Sequence, residues 1–179
     1  MADSLTTKLA LAASLKKLMT ESPFKKIGIA DICGQCKMNR KSFYYHFRDK
    51  YDLINWIFDF EFASKQTDNC SNSPWDLFFD VCDYFYRNRT FYCAVFKIEG
   101  QNSFKEHFAS LCYPVFKECC KSVFKDSELA ELQSRLLASM LITVIEQWLF
   151  AKDCLPPERF YEAVRTTVKQ ASLKICDTL

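Results

Sequence analysis

Two groups of residues between positions 31 and 47 have the types and the spacing needed for chemistry. Cys33 and Cys36 are separated by two residues, which is the spacing of a redox dithiol. Directly after them, residues Asn39 to Phe47 read NRKSFYYHF and bring basic, hydroxyl and aromatic groups together. The first group predicts thiol chemistry, and the second predicts a surface that contacts nucleic acid. The helices or strands that carry these residues decide between the two.

The dithiol lacks the surroundings that a thioredoxin-like enzyme requires. Such a motif needs a strand before it and a parallel sheet around it, whereas both flanks here have helical patterns. On a helix that begins at Gly28, an apolar stripe forms from Ile29, Ile32, Cys33 and Cys36. We therefore expect both thiols to face the core. Redox sensing remains an alternative, because cysteines near helix ends can be acidified.

The other cysteines and the termini give little sign of a metal site or of secretion. A zinc site needs two further ligands at regular spacing. His107 and Cys119–Cys120 are candidates, but no second pair of cysteines has the same two-residue separation. The N-terminal segment contains Lys8 and Lys16 among its apolar residues, so it lacks the apolar core of a signal peptide. No run of about 18 apolar residues suggests a membrane span. We expect reduced thiols, a cytoplasmic protein, and no metal or other cofactor.

The composition favours helices throughout the chain. Only 3 Gly and 5 Pro occur in 179 residues, and no segment alternates polar and apolar residues as a strand would. We predict an all-α protein of about nine helices, with a loop near 67–73. Residues 1–60 carry ten Lys/Arg and six Asp/Glu, so 10 − 6 = +4, and the remainder gives 14 − 16 = −2. A basic N-terminal part is compatible with a polyanionic partner at that end.

The stretch after the dithiol presents a DNA-binding face if it is helical. Asn39 can cap a helix that runs to about Phe47. At about 100° per residue, Phe43 and Phe47 fall on the inward side, while Lys41 and Tyr45 point away. Ammonium and phenol groups donate to phosphate oxygens and touch base edges. Two short helices with this second face predict a helix-turn-helix that fits the major groove. The same outward surface includes Arg40, Ser42, Tyr44 and, at one edge, His46.

These residues also carry a resemblance to a known family. The stretch FKKIGIADICGQCKMNRKSFYYHFRDKYDLINWIF resembles the DNA-binding domain of the TetR/AcrR family of transcriptional regulators. The matching parts are Ile32–Cys33, the turn at Lys37–Met38, the aromatic run Phe43–Phe47, and Lys50 before Leu53. Two stretches, FYYHFRDKYDLINWIF and FYCAVFKIEGQNSF, are most similar to the branch of dihydroxyacetone kinase operon regulators.

The resemblance implies a domain organisation and a set of DNA contacts. It implies a three-helix helix-turn-helix domain over residues 1–50 and a helical effector and dimerisation domain over 51–179. Lys50 would meet phosphate at the start of the fourth helix. Lys37 stands where the family prefers Gly, so a residue with a Cβ is expected at positive φ. The implied DNA-binding residues are Gly28, Lys37, Arg40, Lys41, Ser42, Tyr44, Tyr45, His46 and Lys50.

The C-terminal part is expected to form a homodimer. A single recognition helix reads few base pairs, so such proteins act as dimers on half-sites about one helical turn apart. The long helix over 127–152 and the last helix have enough apolar residues for a four-helix interface with a second copy. The alternative is that these side chains are all internal core. The expected interface residues are Leu137, Met140, Leu141, Val144, Trp148, Phe160 and Val164.

The resemblance also implies an effector, either a small molecule or a protein partner. The many aromatic side chains of the body could line a pocket, or they could simply fill the core. Polar groups among them are the places where ligand contacts are expected. The candidate ligand-binding residues are Tyr92, Phe96, His107, Tyr113, Glu146 and Gln147.

Three hypotheses therefore stand. The first is a dimeric sequence-specific DNA-binding transcriptional regulator, with double-stranded operator DNA as its partner. The second is a thiol redox sensor or enzyme that uses Cys33 and Cys36, and the third is a helical protein-interaction module. A hydrolytic enzyme is not expected, because His46 and His107 are the only histidines and no catalytic constellation or Gly-rich phosphate loop occurs.

Overall fold

The computed structural model describes residues 2–64, 73–100, 102–123 and 127–176. This part of the chain contains nine α-helices. Side chains are described for 4–64, 73–100, 102–119 and 129–171. The all-α prediction is confirmed. A short 3₁₀ turn, Phe24–Lys26, precedes the second helix, and a π-helical turn, Asp59–Ala63, continues the fourth. The α-helices are α1 Ala2–Glu21, α2 Ile29–Gln35, α3 Arg40–His46, α4 Lys50–Phe58, α5 Pro74–Arg87, α6 Arg89–Val95, α7 Phe104–Val123, α8 Ser127–Phe150 and α9 Pro157–Cys176.

Several helices begin where the sequence places their caps. The Asn39 carboxamide oxygen accepts the backbone N–H of Ser42 at 2.8 Å and starts α3. The hydroxyl of Ser73 accepts the N–H of Asp76, with Pro74 in the first turn of α5. The loop predicted near 67–73 lies, apart from Ser73, outside the described residues.

The N-terminal helices share a core that fixes the orientation of α3. Helix α1 packs against α2, α3 and α4. Leu11 and Leu15 of α1, Ile32 of α2, Phe43 of α3 and Leu53 of α4 are each wholly buried. Because every helix contributes to this cluster, α3 cannot rotate without exposing apolar surface.

The body is built around stacked and edge-on aromatic rings. The Phe58 ring, at the end of α4, lies 5.3 Å from Phe104 and 5.5 Å from Phe108 on α7. Phe85 of α5 lies 4.6 Å from the Tyr92 ring of α6. These separations are typical of interacting aromatic pairs, and they join α4 to the body through one continuous cluster.

The last three helices complete the body. Helix α7 packs most extensively against α8, and α9 packs against α5. The Trp148 indole of α8 is stacked on the Phe160 ring of α9, with centroids 4.3 Å apart. Within the described part of the chain, no helix is both long and apolar enough to span a bilayer.

Candidate nucleic-acid interface

Helix α3 presents the two faces that its sequence predicts. Phe43 is wholly buried, and Phe47 packs beside it with ring centroids 5.7 Å apart. On the opposite side, Tyr45 is 83% exposed, and Tyr44 and Lys41 are exposed as well. The predicted orientation of the helix is thus confirmed. A polar and aromatic surface is left open to solvent.

The other α3 residues frame this surface. Arg40, in the first turn, is exposed. The hydroxyl of Ser42 lies 3.2 Å from the Asn39 carboxamide oxygen, so the cap holds it at the start of the helix. The half-buried His46 ring meets the Tyr45 ring edge-on at 4.9 Å. All of these groups can donate hydrogen bonds to an anionic partner.

The turn before α3 is strained as the sequence predicts. Lys37 has a φ of 55°, in the left-handed region that a residue with a Cβ seldom adopts. The strain closes the end of α2, because the next amide, that of Met38, donates to the Cys33 carbonyl at 2.9 Å. The Lys37 side chain is exposed beside the start of α3.

Gly28 lies at the N-terminal end of α2, but its amide already has a partner. The Gly28 N–H donates to the Asp31 carboxylate at 2.8 Å. The glycine is exposed, and a Cβ placed there would lie 3.3 Å from that same carboxylate oxygen. A phosphate that approaches this end of α2 would therefore meet a carboxylate as well as the backbone.

Lys50 is turned inward, in contrast to the expected phosphate contact. Its ammonium donates to the carbonyl oxygens of Phe24 and Ile27, both at 2.7 Å. It also lies 4.2 Å from the centroid of the Phe24 ring. Partial burial lowers the pKa of the Lys50 ammonium. Two of its three N–H groups are thus used within the protein.

Two exposed lysines that the sequence reasoning missed lie on the same turn. Lys25 and Lys26 belong to the 3₁₀ turn whose carbonyls Lys50 holds, and both are exposed. They precede Gly28 by three and two residues. The sequence feature that could have identified them is their adjacency directly before the second helix, since clustered lysines are typical of a nucleic-acid-binding surface.

The Cys33 thiol lies inside the hydrophobic core, and the Cys36 thiol lies at the edge of that core. Cys33 is 2% exposed. Burial, followed by the proximity of Cys36, raises the pKa of the Cys33 thiol, with Arg40 opposing. The Cys36 thiol donates to the Ile32 carbonyl at 3.4 Å and is half-buried. Among the described side chains, no group of three or more His, Cys, Asp or Glu could hold a metal ion; Cys120 lies outside that set.

The expected ligand-binding residues do not converge on one cavity. Tyr92 and Phe96 are wholly buried among aromatic rings. Glu146 is paired with Lys105 at 2.8 Å, and Gln147 is exposed on α8. Half-buried Tyr113 lies under the Lys117 ammonium.

His107 lines a polar cavity between α4 and the start of α7. The cavity has a volume of about 250 Å³ and is lined mainly by charged and amide side chains. The His107 imidazole lies 2.7 Å from the Asp59 carboxylate. The carboxamide oxygen of Asn55 is buried without a hydrogen-bond partner in the described structure. The cavity suits a small polar molecule better than an apolar one.

The expected dimer residues divide into exposed and internal groups. Met140 is 62% exposed, and Leu137 and Val144 are exposed beside it on α8. Trp148 and Phe160, at 5% and 7%, are instead part of the core, because they stack on each other. Within one copy, both side chains are therefore covered by the protein's own core, in contrast to the expected interface. Leu141 and Val164 are half-buried against the core.

Comparison with known proteins identifies the family. Residues 11–57 match the bacterial regulatory proteins of the tetR family. Residues 72–170, more than half of the chain, match the transcriptional regulator C-terminal region of that type. The chain belongs to the TetR family of transcriptional regulators. Its two matched regions correspond to the helix-turn-helix part and the body.

One curated TetR-family relative matches part of the chain. The HTH-type dhaKLM operon transcriptional activator DhaS of Lactococcus lactis subsp. lactis (strain IL1403) is 31% identical over 109 residues. The match covers 60% of this TetR-family chain and 57% of the length of that relative. The chain is thus aligned with little more than half of DhaS.

Solved structures share the fold over nearly the whole chain. The dihydroxyacetone kinase operon activator DhaS superposes with a TM-score of 0.65 at 21% identity, covering 96% of this chain and 98% of that one. NalD, the secondary repressor of the MexAB-OprM multidrug efflux pump in Pseudomonas aeruginosa, gives 0.69 at 17%, covering 95% and 97%. RolR in complex with resorcinol gives 0.55 at 20%, covering 90% and 87%. These similarities establish the TetR-family fold.

Proposed function

We propose that this TetR-family regulator binds operator DNA as a homodimer, with α3 of each copy in the major groove. The observation that carries the proposal is the outward face of α3, where Tyr45 is 83% exposed while Phe43 is wholly buried. Adjacent large aromatic side chains that are exposed to water are typical of a binding surface. Membership of the family supports the same function.

The roles of the α3 residues follow from their chemistry. Arg40 and Lys41 supply positive charge for phosphates or for guanine edges. Tyr44 and Tyr45 offer hydroxyl donors and rings that can contact thymine methyl groups. Ser42 and His46 supply further donors at the two ends of the surface, and Gly28 and Lys37 flank it.

The homodimer follows from a ridge of exposed apolar side chains on α8. Four residues spaced by four lie along one line of that helix and are all exposed: Leu132, Leu136, Met140 and Val144. Such i, i+4 ridges pack into the grooves of a second helix. A continuous exposed apolar stripe marks an interface more often than a solvated surface. The interface is therefore centred on α8, with Leu137 beside the ridge.

The proposal includes an effector that acts on this regulator. RolR is known in complex with resorcinol, and a small molecule or a protein partner could act on this chain. A ligand that reached Tyr92 or Phe96 would have to displace packed rings. The polar cavity beside His107 is already open, and its position against α4 would link occupancy to the DNA-binding helices.

The redox alternative is not favoured. Cys33 is buried, and burial raises the pKa of its thiol, so the reactive thiolate is scarce at neutral pH.

The test is DNA binding by the full chain. Fluorescence anisotropy with a duplex from the region upstream of its own gene would compare the wild type with the double variant Lys41→Ala/Tyr45→Ala. We expect at least a tenfold loss of affinity, because each good contact contributes about 1–3 kcal/mol. The control is Lys152→Ala/Leu155→Ala after α8, which removes an exposed lysine and an exposed large side chain elsewhere and should bind like the wild type. Equal affinity of the α3 variant and the wild type would contradict the proposal.

A further inference from the structure

The contacts of Lys50 join three parts of the DNA-binding unit. Lys50 is the first residue of α4, directly after its cap Asp49, whose carboxylate accepts the amides of Tyr51 and Asp52. From this fixed position, the ammonium reaches the carbonyls of Phe24 and Ile27, one on each side of the Lys25–Lys26 pair. The ammonium therefore holds the 3₁₀ turn against the start of α4.

The energetics favour this internal role. Hydrogen bonds from a charged donor are stronger than those between neutral groups, and two of them hold Lys50. The Phe24 ring, 4.2 Å away, adds a cation–π contact. A move toward DNA would break all three contacts. The Phe24 carbonyl would keep the Ile27 amide as a donor at 3.1 Å, but the Ile27 carbonyl would lose the Lys50 ammonium. A single phosphate contact is a poor replacement for them.

The same contacts anchor the turn that carries Lys25 and Lys26. The side chains of Phe24 and Ile27 are only 6% and 3% exposed, so the turn is anchored in the core at both ends. Lys25 and Lys26 lie between these anchors and are both exposed. A short, anchored turn therefore keeps these two exposed lysines two and three residues before Gly28, the N-cap of α2.

We propose that Lys50 is a positioning residue that clamps the turn, and that Lys25 and Lys26 supply the phosphate contacts at this end of the interface. This inference rests on the proposed DNA-binding function. It extends the DNA surface beyond α3 to the turn before α2. It also places the cationic side chain of Lys50 outside that surface.

Salt dependence separates the two roles. Each phosphate contact contributes about −0.9 to the slope of log affinity against log salt concentration. The slope and the affinity would be measured for the full chain by anisotropy between 50 and 300 mM NaCl, and Tm by circular dichroism. The variants are Lys50→Met, Lys50→Arg and the double variant Lys25→Ala/Lys26→Ala.

We expect the Lys50 variant and the Lys25/Lys26 double variant to change different quantities. Lys50→Met should lower Tm by roughly 4 °C or more and weaken DNA binding at 15 °C at least fivefold, with the slope unchanged. Lys25→Ala/Lys26→Ala should reduce the steepness of the slope by roughly two, with Tm unchanged. Lys152→Ala, an exposed lysine after α8, should change neither the slope nor Tm.

Two controls separate positioning from a general loss of stability. Ile145→Val, in the buried face of α8, should lower Tm while leaving the affinity at 15 °C unchanged. If it weakens binding as much as Lys50→Met does, the positioning role is overturned. If Lys50→Met does not fold, Lys50→Arg decides, because the longer planar guanidinium keeps the charge but fits the two carbonyls poorly. It should show a lower Tm and an unchanged slope.

Other outcomes would overturn the inference in distinct ways. A reduced slope for Lys50→Met with an unchanged Tm would make Lys50 a phosphate ligand. An unchanged slope for Lys25→Ala/Lys26→Ala would remove those lysines from the interface. If the wild type does not bind DNA, the proposed function fails. The Tm values of the Lys50 variants then still decide whether the clamp exists.

Discussion

The hydroxyl groups of Tyr84 and Tyr92 lie 2.8 Å apart inside the aromatic cluster of the body. The Tyr84 hydroxyl donates to the Glu61 carboxylate at 2.8 Å, and the Lys16 ammonium donates to the same carboxylate at 2.6 and 2.7 Å. A chain of polar contacts thus runs from α1, through the π-helical turn, to α5 and α6. It connects the helix that supports α3 with the centre of the body.

Tyr92→Phe tests this chain of contacts. It removes one buried hydroxyl without changing the ring packing, so we expect the free energy of unfolding to fall by about 1 kcal/mol. Urea denaturation measures the change. Tyr45→Phe on the exposed face of α3 is the matched control and should lie within about 0.5 kcal/mol of the wild type. Equal effects of the two substitutions would show that the buried contact contributes nothing to stability.

Alkaline pH should destabilise the protein through the same pair. Burial raises the pKa of Tyr92 and of Tyr84 above the ordinary value, so the folded state retains protons that the unfolded state loses. Stability is therefore complete below about pH 10 and falls above it, by roughly 1.4 kcal/mol per pH unit for each tyrosine. Urea denaturation from pH 9 to 11 measures this, and Tyr92→Phe should show a shallower fall. A variant with the same pH dependence as the wild type would refute the explanation.

Lys37→Gly should relieve backbone strain in the turn before α3. A residue with a Cβ at a φ of 55° costs about 1–2 kcal/mol, whereas glycine loses about 0.5–1 kcal/mol in chain entropy. We expect Lys37→Gly to be about 0.5–1 kcal/mol more stable than Lys37→Ala by thermal unfolding. Both variants lose the same charge, so they should bind DNA alike. If Lys37→Ala is as stable as Lys37→Gly, the left-handed turn is not strained.

The thiols of Cys33, Cys82 and Cys112 should react slowly with iodoacetamide in the folded protein. Burial raises the pKa of the Cys112 thiol to about 12 and also raises the pKa values of Cys33 and Cys82. Little thiolate is therefore present at neutral pH. Mass spectrometry of peptides after short labelling measures this, with guanidinium-unfolded protein as the control in which all ten cysteines react. Fast and selective labelling of Cys33 or Cys36 would revive the redox hypothesis.

Met140→Glu should weaken the proposed homodimer. The substitution places a charge in the middle of the exposed apolar ridge on α8, where desolvation of an unpaired carboxylate is unfavourable. Light scattering coupled to size exclusion should report a shift from dimer to monomer at micromolar concentration. Thr90→Glu, at the exposed start of α6, adds the same charge elsewhere and should leave the dimer intact. A monomeric wild type would end the dimer proposal itself.

The sequence was sufficient for the local features of α3. Its cap, its inward phenylalanines and its outward tyrosines depend only on residue type and helical spacing, so they could be predicted without knowing the neighbours. The positive φ at Lys37 was expected from the resemblance, because the family prefers Gly at this position of the turn. Elements of this kind are decided within a few residues of the chain.

Features that depend on distant partners were not predictable in the same way. The Lys50 ammonium meets carbonyls 23 and 26 residues away, and its direction depends on how α4 meets the 3₁₀ turn. Trp148 and Phe160 have the apolar character of an interface, but only their mutual stacking shows that they are internal. Helical periodicity identifies an apolar face without showing what covers it.

The π-helical turn Asp59–Ala63 also limits how this chain can change in evolution. Within three residues, it directs Asp59 to His107 on α7 and Glu61 to Lys16 on α1 and Tyr84 on α5. Loss of one residue there would turn the wider π turn into an α turn and change the angle between the Asp59 and Glu61 side chains. At least one of these contacts would then be lost. Descendants of this sequence should therefore accept substitutions in this segment more readily than insertions or deletions.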